Sequence, residues 1–155
     1  MIISHSIYKN KKSIVLENDL LRAEVIADPG GKLVSLISKE NQYEFLVQRP
    51  GKEYKDQPVD GIYVEGECSG YDEMFPTIDA CECQQEPWKG LPMGDHGEVW
   101  CLPWEATIKE EQLTLTANSN LFPYRLQKVV SFYSARTLRF SYTLDNLSKH
   151  VFEFL

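Results

Sequence analysis

The sequence predicts an all-β protein, an antiparallel β-sandwich, on three observations. Apolar and polar residues alternate at period two. The plainest case is 137–145, where Leu138, Phe140, Tyr142 and Leu144 oppose Thr137, Arg139, Ser141 and Thr143. Strong turn chemistry interrupts these runs, as in Asp28-Pro29-Gly30-Gly31 and Asn118-Ser119-Asn120. No segment carries a convincing helical period, so layers of sheet are the architecture left.

The elements follow in chain order. Residues 13–18 hold the short apolar run Ile14-Val15-Leu16 and end at a Glu17-Asn18-Asp19 turn. Residues 20–27 alternate Leu21, Ala23, Val25 and Ala27 against Arg22, Glu24 and Ile26, which reads as a half-buried strand. The Asp-Pro-Gly-Gly turn sends the chain back through 32–38, and Asn41-Gln42 turns it again into a fourth strand at 43–48. Residues 49–67 differ: Pro50, Gly51, Pro58, Gly61 and Gly66 and many charges leave little periodicity beyond a brief strand at Ile62-Tyr63-Val64. Residues 70–94 continue this irregular character. Ordered loops of such length are uncommon in a compact domain unless they build a binding site. From Glu98 a meander is expected: 98–109, with Pro103 marking an edge or bulge, then 112–118, 124–134, 137–145 and a last apolar strand over 151–155.

At 155 residues the chain suffices for one domain with a real core and hardly for two. An apolar fraction of 43% with 25% charged residues is that of an ordinary soluble globular protein. The net charge of −7 argues against general affinity for nucleic acid or anionic membrane, both of which reward positive charge. No apolar run is long enough for a membrane-spanning helix. Residues 1–8 lack the basic start and long apolar core of a signal peptide, so the cytoplasm is the expected location. Cys68, Cys81, Cys83 and Cys101 are then expected as reduced thiols. Cys81-x-Cys83 has no second knuckle of metal-ligand spacing to pair with, so neither metal nor cofactor is expected.

Gly94-Asp95-His96-Gly97-Glu98-Val99-Trp100 sets one histidine in a Gly-bracketed loop where a strand is expected to begin. The glycines favour a turn that bulkier residues resist and permit close approach of a ligand. An imidazole held there by a rigid sheet exchanges protons near neutral pH. A lone loop histidine is, as a rule, a surface or hydrogen-bonded turn residue, and its neighbours have to decide between the two roles.

Those neighbours resemble a family. Leu16-Glu17-Asn18, Leu21-Arg22-Ala23-Glu24-Val25 and Gly30-Gly31-Lys32-Leu33-Val34-Ser35-Leu36 are similar to the opening of the aldose 1-epimerase (galactose mutarotase-like) superfamily. Gly70-Tyr71-Asp72-Glu73-Met74-Phe75-Pro76-Thr77-Ile78 resembles its segment ending in Phe-Pro-Thr. Asp95-His96-Gly97-Glu98-Val99-Trp100 with Pro103-Trp104 resembles its first histidine loop. The motifs span residues 15–104. The resemblance implies part of the family's β-supersandwich: a single galactose mutarotase-like domain over 1–155, the N-terminal portion of a longer fold. It also implies action on an aldose. In the family a glutamate takes the proton of the C1 hydroxyl and a histidine protonates the ring oxygen. The ring opens, and the C1–C2 bond rotates before closure. Both groups must titrate near working pH.

His96 matches the first family histidine, the one that helps hold the sugar, and it is the catalytic-site residue expected here. The second histidine and the glutamate fall beyond residue 155 in the family pattern. His150 comes too early and lacks the aromatic residues expected before it. An incomplete catalytic set is therefore expected, which leaves carbohydrate binding, with a non-catalytic sugar-binding or regulatory sandwich as the alternative. Asp72 and Glu73 accept sugar hydroxyls or form a solvated turn pair. Asp95 orients His96 or is simply exposed. Trp100 offers a flat face to a pyranose or, like Trp104, sits in the core. Lys32 is expected in an ion pair across the sheet, and Glu98 in a salt bridge at the rim. The expected partner is a small-molecule sugar. The apolar residues at 151–155 call for a pairing strand, so self-association or a missing C-terminal portion is expected as well.

Overall fold

The computed structural model describes residues 2–59 and 61–154. Among these the strands are β1 (Ile2–Tyr8), β2 (Lys11–Glu17), β3 (Leu21–Ile26), β4 (Leu33–Ser38), β5 (Tyr43–Glu44), β6 (Cys81–Glu82), β7 (Pro92–Met93), β8 (Glu105–Lys109), β9 (Gln112–Asn118), β10 (Tyr124–Ser134) and β11 (Thr137–Asn146). No α-helix occurs among the described residues; a single 3-10 turn covers Tyr63–Glu65. Strands β1 to β5 pair in chain order in one antiparallel sheet, β8 to β11 in a second, and β6 with β7 in a short ribbon. The sheets do not close into a barrel. They face each other across one apolar core, to which Leu16, Val25 and Leu33 contribute from the first sheet and Leu113, Leu115 and Val130 from the second.

The predicted class holds, and so do β2, β4, β9, β10 and β11 within a residue or two. Strand β1 is absent from the sequence reading. It pairs with β2 through a two-residue turn in which Lys9 and Asn10 both have positive φ, the backbone that tight hairpins require. Strand β3 is buried on both faces instead of one. Its second face, bearing Ile26, packs with Val34 and Tyr54 in a satellite cluster.

Four expected strands are shorter or missing: the brief one at Ile62-Tyr63-Val64 is replaced by the 3-10 turn at Tyr63–Glu65, and the other three give way for visible reasons. Past Glu44 the ladder gives way because the Glu44 carboxylate takes the backbone N–H groups of Leu36 and Leu46 at 2.9 and 3.0 Å. The 98–109 strand begins only at Glu105. Before it, the Cys101 and Leu102 amides turn back to the Glu98 carbonyl at 3.2 and 3.1 Å. Val99, Trp100, Leu102 and Trp104 are all buried there, so the apolar alternation reflects a folded turn embedded in the core. Residues 151–154 form no strand. Phe152 instead packs on Phe122 and Tyr124; Leu155 lies outside the described residues.

The Gly30-Gly31 turn fixes the 98–104 segment against the first sheet. Both glycines have positive φ. A Cβ on Gly30 would strike the Trp100 backbone, and one on Gly31 the Trp104 ring. Gly30 donates to the Leu102 carbonyl at 2.8 Å and Trp104 to that of Ala27 at 3.1 Å. The histidine loop therefore departs from a rigid base.

Candidate functional site

Residues 71–75 cross from the first sheet to the histidine loop. Tyr71 bridges to Leu33 in antiparallel fashion and Phe75 to Gly97 in parallel. The Phe75 carbonyl accepts the Glu98 amide at 2.9 Å, and His96 donates its own amide to Ile78 at 2.7 Å. Beneath the loop the Trp100 indole N–H reaches the carbonyls of Asp95 and Gly97, at 3.0 and 3.2 Å. His96 has φ 61, a left-handed conformation uncommon for a residue with a Cβ, and this many ties hold it there.

The imidazole is fixed on two sides. Nδ1 lies 2.6 Å from Asp95 Oδ1, and the ring stacks on Tyr63 with centroids 4.0 Å apart and planes 7° from parallel. The other Asp95 oxygen accepts the Tyr63 amide at 3.1 Å. The hydrogen bond with His96 holds the Asp95 carboxyl below the usual range, helped by that amide. The His96 side chain keeps 23% of its surface exposed, and no partner for Nε2 occurs among the described residues.

Tyr63 carries the arrangement inward. Its hydroxyl donates to Asp72 Oδ2 at 2.8 Å, and Asp72 pairs with the buried Lys32 ammonium at 2.9 Å. Lys32 also donates to the Glu67 carbonyl at 2.6 Å, and the Glu67 carboxylate pairs with Lys9. Burial, then the Asp72 charge, push the Tyr63 hydroxyl far above its ordinary pKa, so it stays a donor. Tyr63 is not among the site residues expected from the sequence. Its only signal was a position between Gly61 and Gly66, within a stretch read as strand.

Four of the expected residues come together: His96, Asp95, Asp72 through Tyr63, and Trp100 underneath. Trp100 is 6% exposed and supports the loop from below, so of the two placements weighed for it the structure has the core one, as for Trp104, and not the stacking face. Glu73 stands apart, buried and directed to the second sheet. There it pairs with Lys128 and accepts the Tyr142 hydroxyl at 3.0 Å, so it is no open acceptor for sugar. Desolvation pulls the Lys128 ammonium below its ordinary pKa, and the Glu73 charge partly restores it. Lys32 forms the ion pair expected of it. Glu98 does not sit at the rim: it is 1% exposed and accepts from the Tyr124 hydroxyl at 2.8 Å, from Ser119 and from the Asn120 amide.

A cavity of about 10 Å³ lies behind Tyr63 and Trp100, against Lys32 and Glu67. A much larger open cleft of about 740 Å³ runs along Thr77, Cys81, Gln84 and Met93. The His96 ring is part of neither wall, although the loop that carries it follows directly on β7, whose Met93 lines the second.

No protein-family profile matches the chain, and no curated protein does. Similar solved structures include the following two. One is a 4-alpha-glucanotransferase from Thermococcus litoralis, with TM-score 0.56 and 15% identity over 93% of this chain and 24% of that one. The other is a TPR-domain containing protein from Parabacteroides distasonis, with TM-score 0.42 and 17% identity over 80% and 19%. The likeness to the glucanotransferase is one of fold, and this chain spans about a quarter of that enzyme's length.

Proposed function

We propose that the chain binds a carbohydrate at the Asp95-His96-Gly97 loop, as an aldose 1-epimerase-like protein in which His96 holds the sugar. The observation that carries this reading is the fixed imidazole, one ring nitrogen of which has no partner among the described residues. Asp95 beside Nδ1 favours the tautomer protonated there. Nε2 is then an acceptor, oriented in advance by Tyr63, for a sugar hydroxyl. The likeness of fold to part of the Thermococcus litoralis 4-alpha-glucanotransferase is in keeping with a carbohydrate ligand.

The non-catalytic form of this reading has its own support. Anomer interconversion needs a base as well as an acid, and among the described residues three carboxylates around the loop are engaged. Asp72 is held by Lys32 and Tyr63, Asp95 by His96, and Glu98 by Ser119 and Tyr124. Positioned acid and base groups contribute typically about 10²–10⁴-fold each, so residues 1–155 alone bind an aldose and scarcely speed its mutarotation. In this reading the domain is one portion of a larger galactose mutarotase-like sandwich.

The test is an NMR titration with D-glucose and D-galactose, with anomer exchange followed on the same samples. His96 and Tyr63 resonances should shift. His96→Ala should weaken binding by about one hydrogen bond, roughly 0.5–1.5 kcal/mol. Binding that is indifferent to His96→Ala removes the site. Rapid, His96-dependent mutarotation removes the non-catalytic part.

A further inference from the structure

We infer that the open cleft beside the histidine loop takes the further units of a neutral glycan whose terminal sugar sits at His96. This rests on the carbohydrate reading of that loop and extends it from a monosaccharide to an oligosaccharide. The first argument is continuity. Thr77, in the cleft wall, precedes Ile78, whose carbonyl receives the His96 amide at 2.7 Å. Met93, also in the wall, ends β7 and pairs across the ribbon with Cys81. The next residues, Gly94 and Asp95, lead straight to His96. Two wall residues of the cleft thus stand one residue before the His96 anchor and three residues before His96 itself.

Size and lining supply the rest. About 740 Å³ falls within the roughly 300–1,000 Å³ of pockets that take drug-sized ligands, and it exceeds what one pyranose fills. Met93, Pro76 and Phe154 offer apolar surface to the C–H faces of sugar rings. The Gln84 carboxamide donates to the Glu82 carbonyl at 2.9 Å and that of Gln85 accepts the Glu153 amide at 2.8 Å, so Gln84 offers its oxygen and Gln85 its NH₂ group, while Glu82 and Glu153 bring carboxylates that accept from hydroxyls. The lining contains no lysine, arginine or histidine. A phosphorylated sugar, a nucleotide or an acidic peptide would meet two like charges and no cation. A purely apolar ligand would strip water from amides and carboxylates without replacing their hydrogen bonds. An uncharged polyol meets neither penalty.

The experiment uses the whole chain, labelled with ¹⁵N, and five probes: D-glucose, maltotriose, cellotriose, glucose 6-phosphate and trilysine. At least one trisaccharide should bind about tenfold or more tighter than glucose and shift Thr77, Cys81, Gln84 and Met93 together with His96. Gln84→Ala, at an exposed position, and Met93→Ala should remove that gain and leave glucose affinity unchanged. Glucose at His96 with no gain on lengthening the glycan overturns the extension and keeps the His96 reading. Trisaccharide shifts in the cleft with none at His96 keep the cleft as a glycan site and overturn the anchor. Tighter binding of glucose 6-phosphate than of glucose, or of trilysine than of either trisaccharide, overturns the neutral-glycan assignment. Absence of binding by every sugar overturns both readings.

Discussion

Gly97→Ala should release the histidine loop from the 70–77 segment, and its cost follows from the structure. Gly97 has φ 70, and a Cβ there would overlap the Phe75 carbonyl and lie 2.8 Å from the Pro76 nitrogen. Both are backbone, so neither can swing aside as the end of a side chain would. The left-handed conformation costs an L-residue about 1–2 kcal/mol, and forced repacking typically about 1–3 kcal/mol. The displaced loop also loosens the Glu98-to-Phe75 hydrogen bond, worth about 1 kcal/mol. A total of about 3–6 kcal/mol is expected. Gly90→Ala is the control, because Gly90 has φ 84 but nothing within 4 Å of a Cβ, which leaves the conformational cost of about 1–2 kcal/mol alone. Urea unfolding of both variants, at equal m-value, should separate them by about 2–4 kcal/mol, the repacking and hydrogen-bond costs that Gly90→Ala lacks. Equal midpoints would show that the Phe75–Gly97 contact does not fix the loop.

The left-handed φ of His96 predicts that His96→Gly is more stable than His96→Ala by about 1 kcal/mol in the same assay, although both lose the imidazole; the reverse order would mean the backbone relaxes without cost. Lys128→Met should destabilise by about 3–5 kcal/mol, since it leaves Glu73 buried without its cation, whereas Lys128→Met with Glu73→Leu should recover most of the loss. A double variant as weak as the single one in thermal unfolding would refute that account. In acid, Asp95 and Glu67 set the sign. Burial alone would raise the Glu67 carboxyl, but the Lys9, Ser69 and Lys55 contacts lower it, as His96 lowers Asp95. Their contribution is therefore complete above the ordinary carboxylate pKa of about 4 and lost as pH falls through the depressed values. Melting temperature against pH should fall more steeply in the native chain than in Glu67→Gln.

Much of the fold was legible because period two survives wherever a strand has one face on the core. β9 and β10 show it directly: Leu113, Leu115 and Ala117 are buried, as are Tyr124, Leu126, Lys128 and Val130. The pattern misled where burial arises some other way. Val99, Trp100 and Leu102 alternate as a strand would, yet they lie in a turn that the core surrounds. Tyr43 to Gln48 has strand composition, but a glutamate side chain replaces the partner strand after two residues. β1 escaped notice because its apolar residues are only partly covered, with Ile2 and Ile7 63% and 65% exposed.

The site was legible as a place and not as a set of partners. The glycines around His96 announce a constrained loop, and Gly97 meets that constraint against Phe75. What the sequence could not show is which carboxylate each cation finds. Asp72 and Glu73 are adjacent and alike in composition, yet Asp72 joins Lys32 on the first sheet and Tyr63 under the imidazole, while Glu73 joins Lys128 on the second. Neighbouring residues in an extended segment point opposite ways, so this pair pins the 71–75 crossing to both sheets at once. Each ammonium is desolvated and therefore depends on its partner. The result is a series of fixed groups running from Lys9 through Glu67, Lys32, Asp72 and Tyr63 to His96. A buried series of this kind costs stability if any member is removed, and it leaves the imidazole little freedom to turn. Rigidity at His96 is thus a product of core electrostatics more than of the loop's own sequence, which is why a conservative change such as Asp72→Asn should disturb the ring while leaving the glycine turn intact.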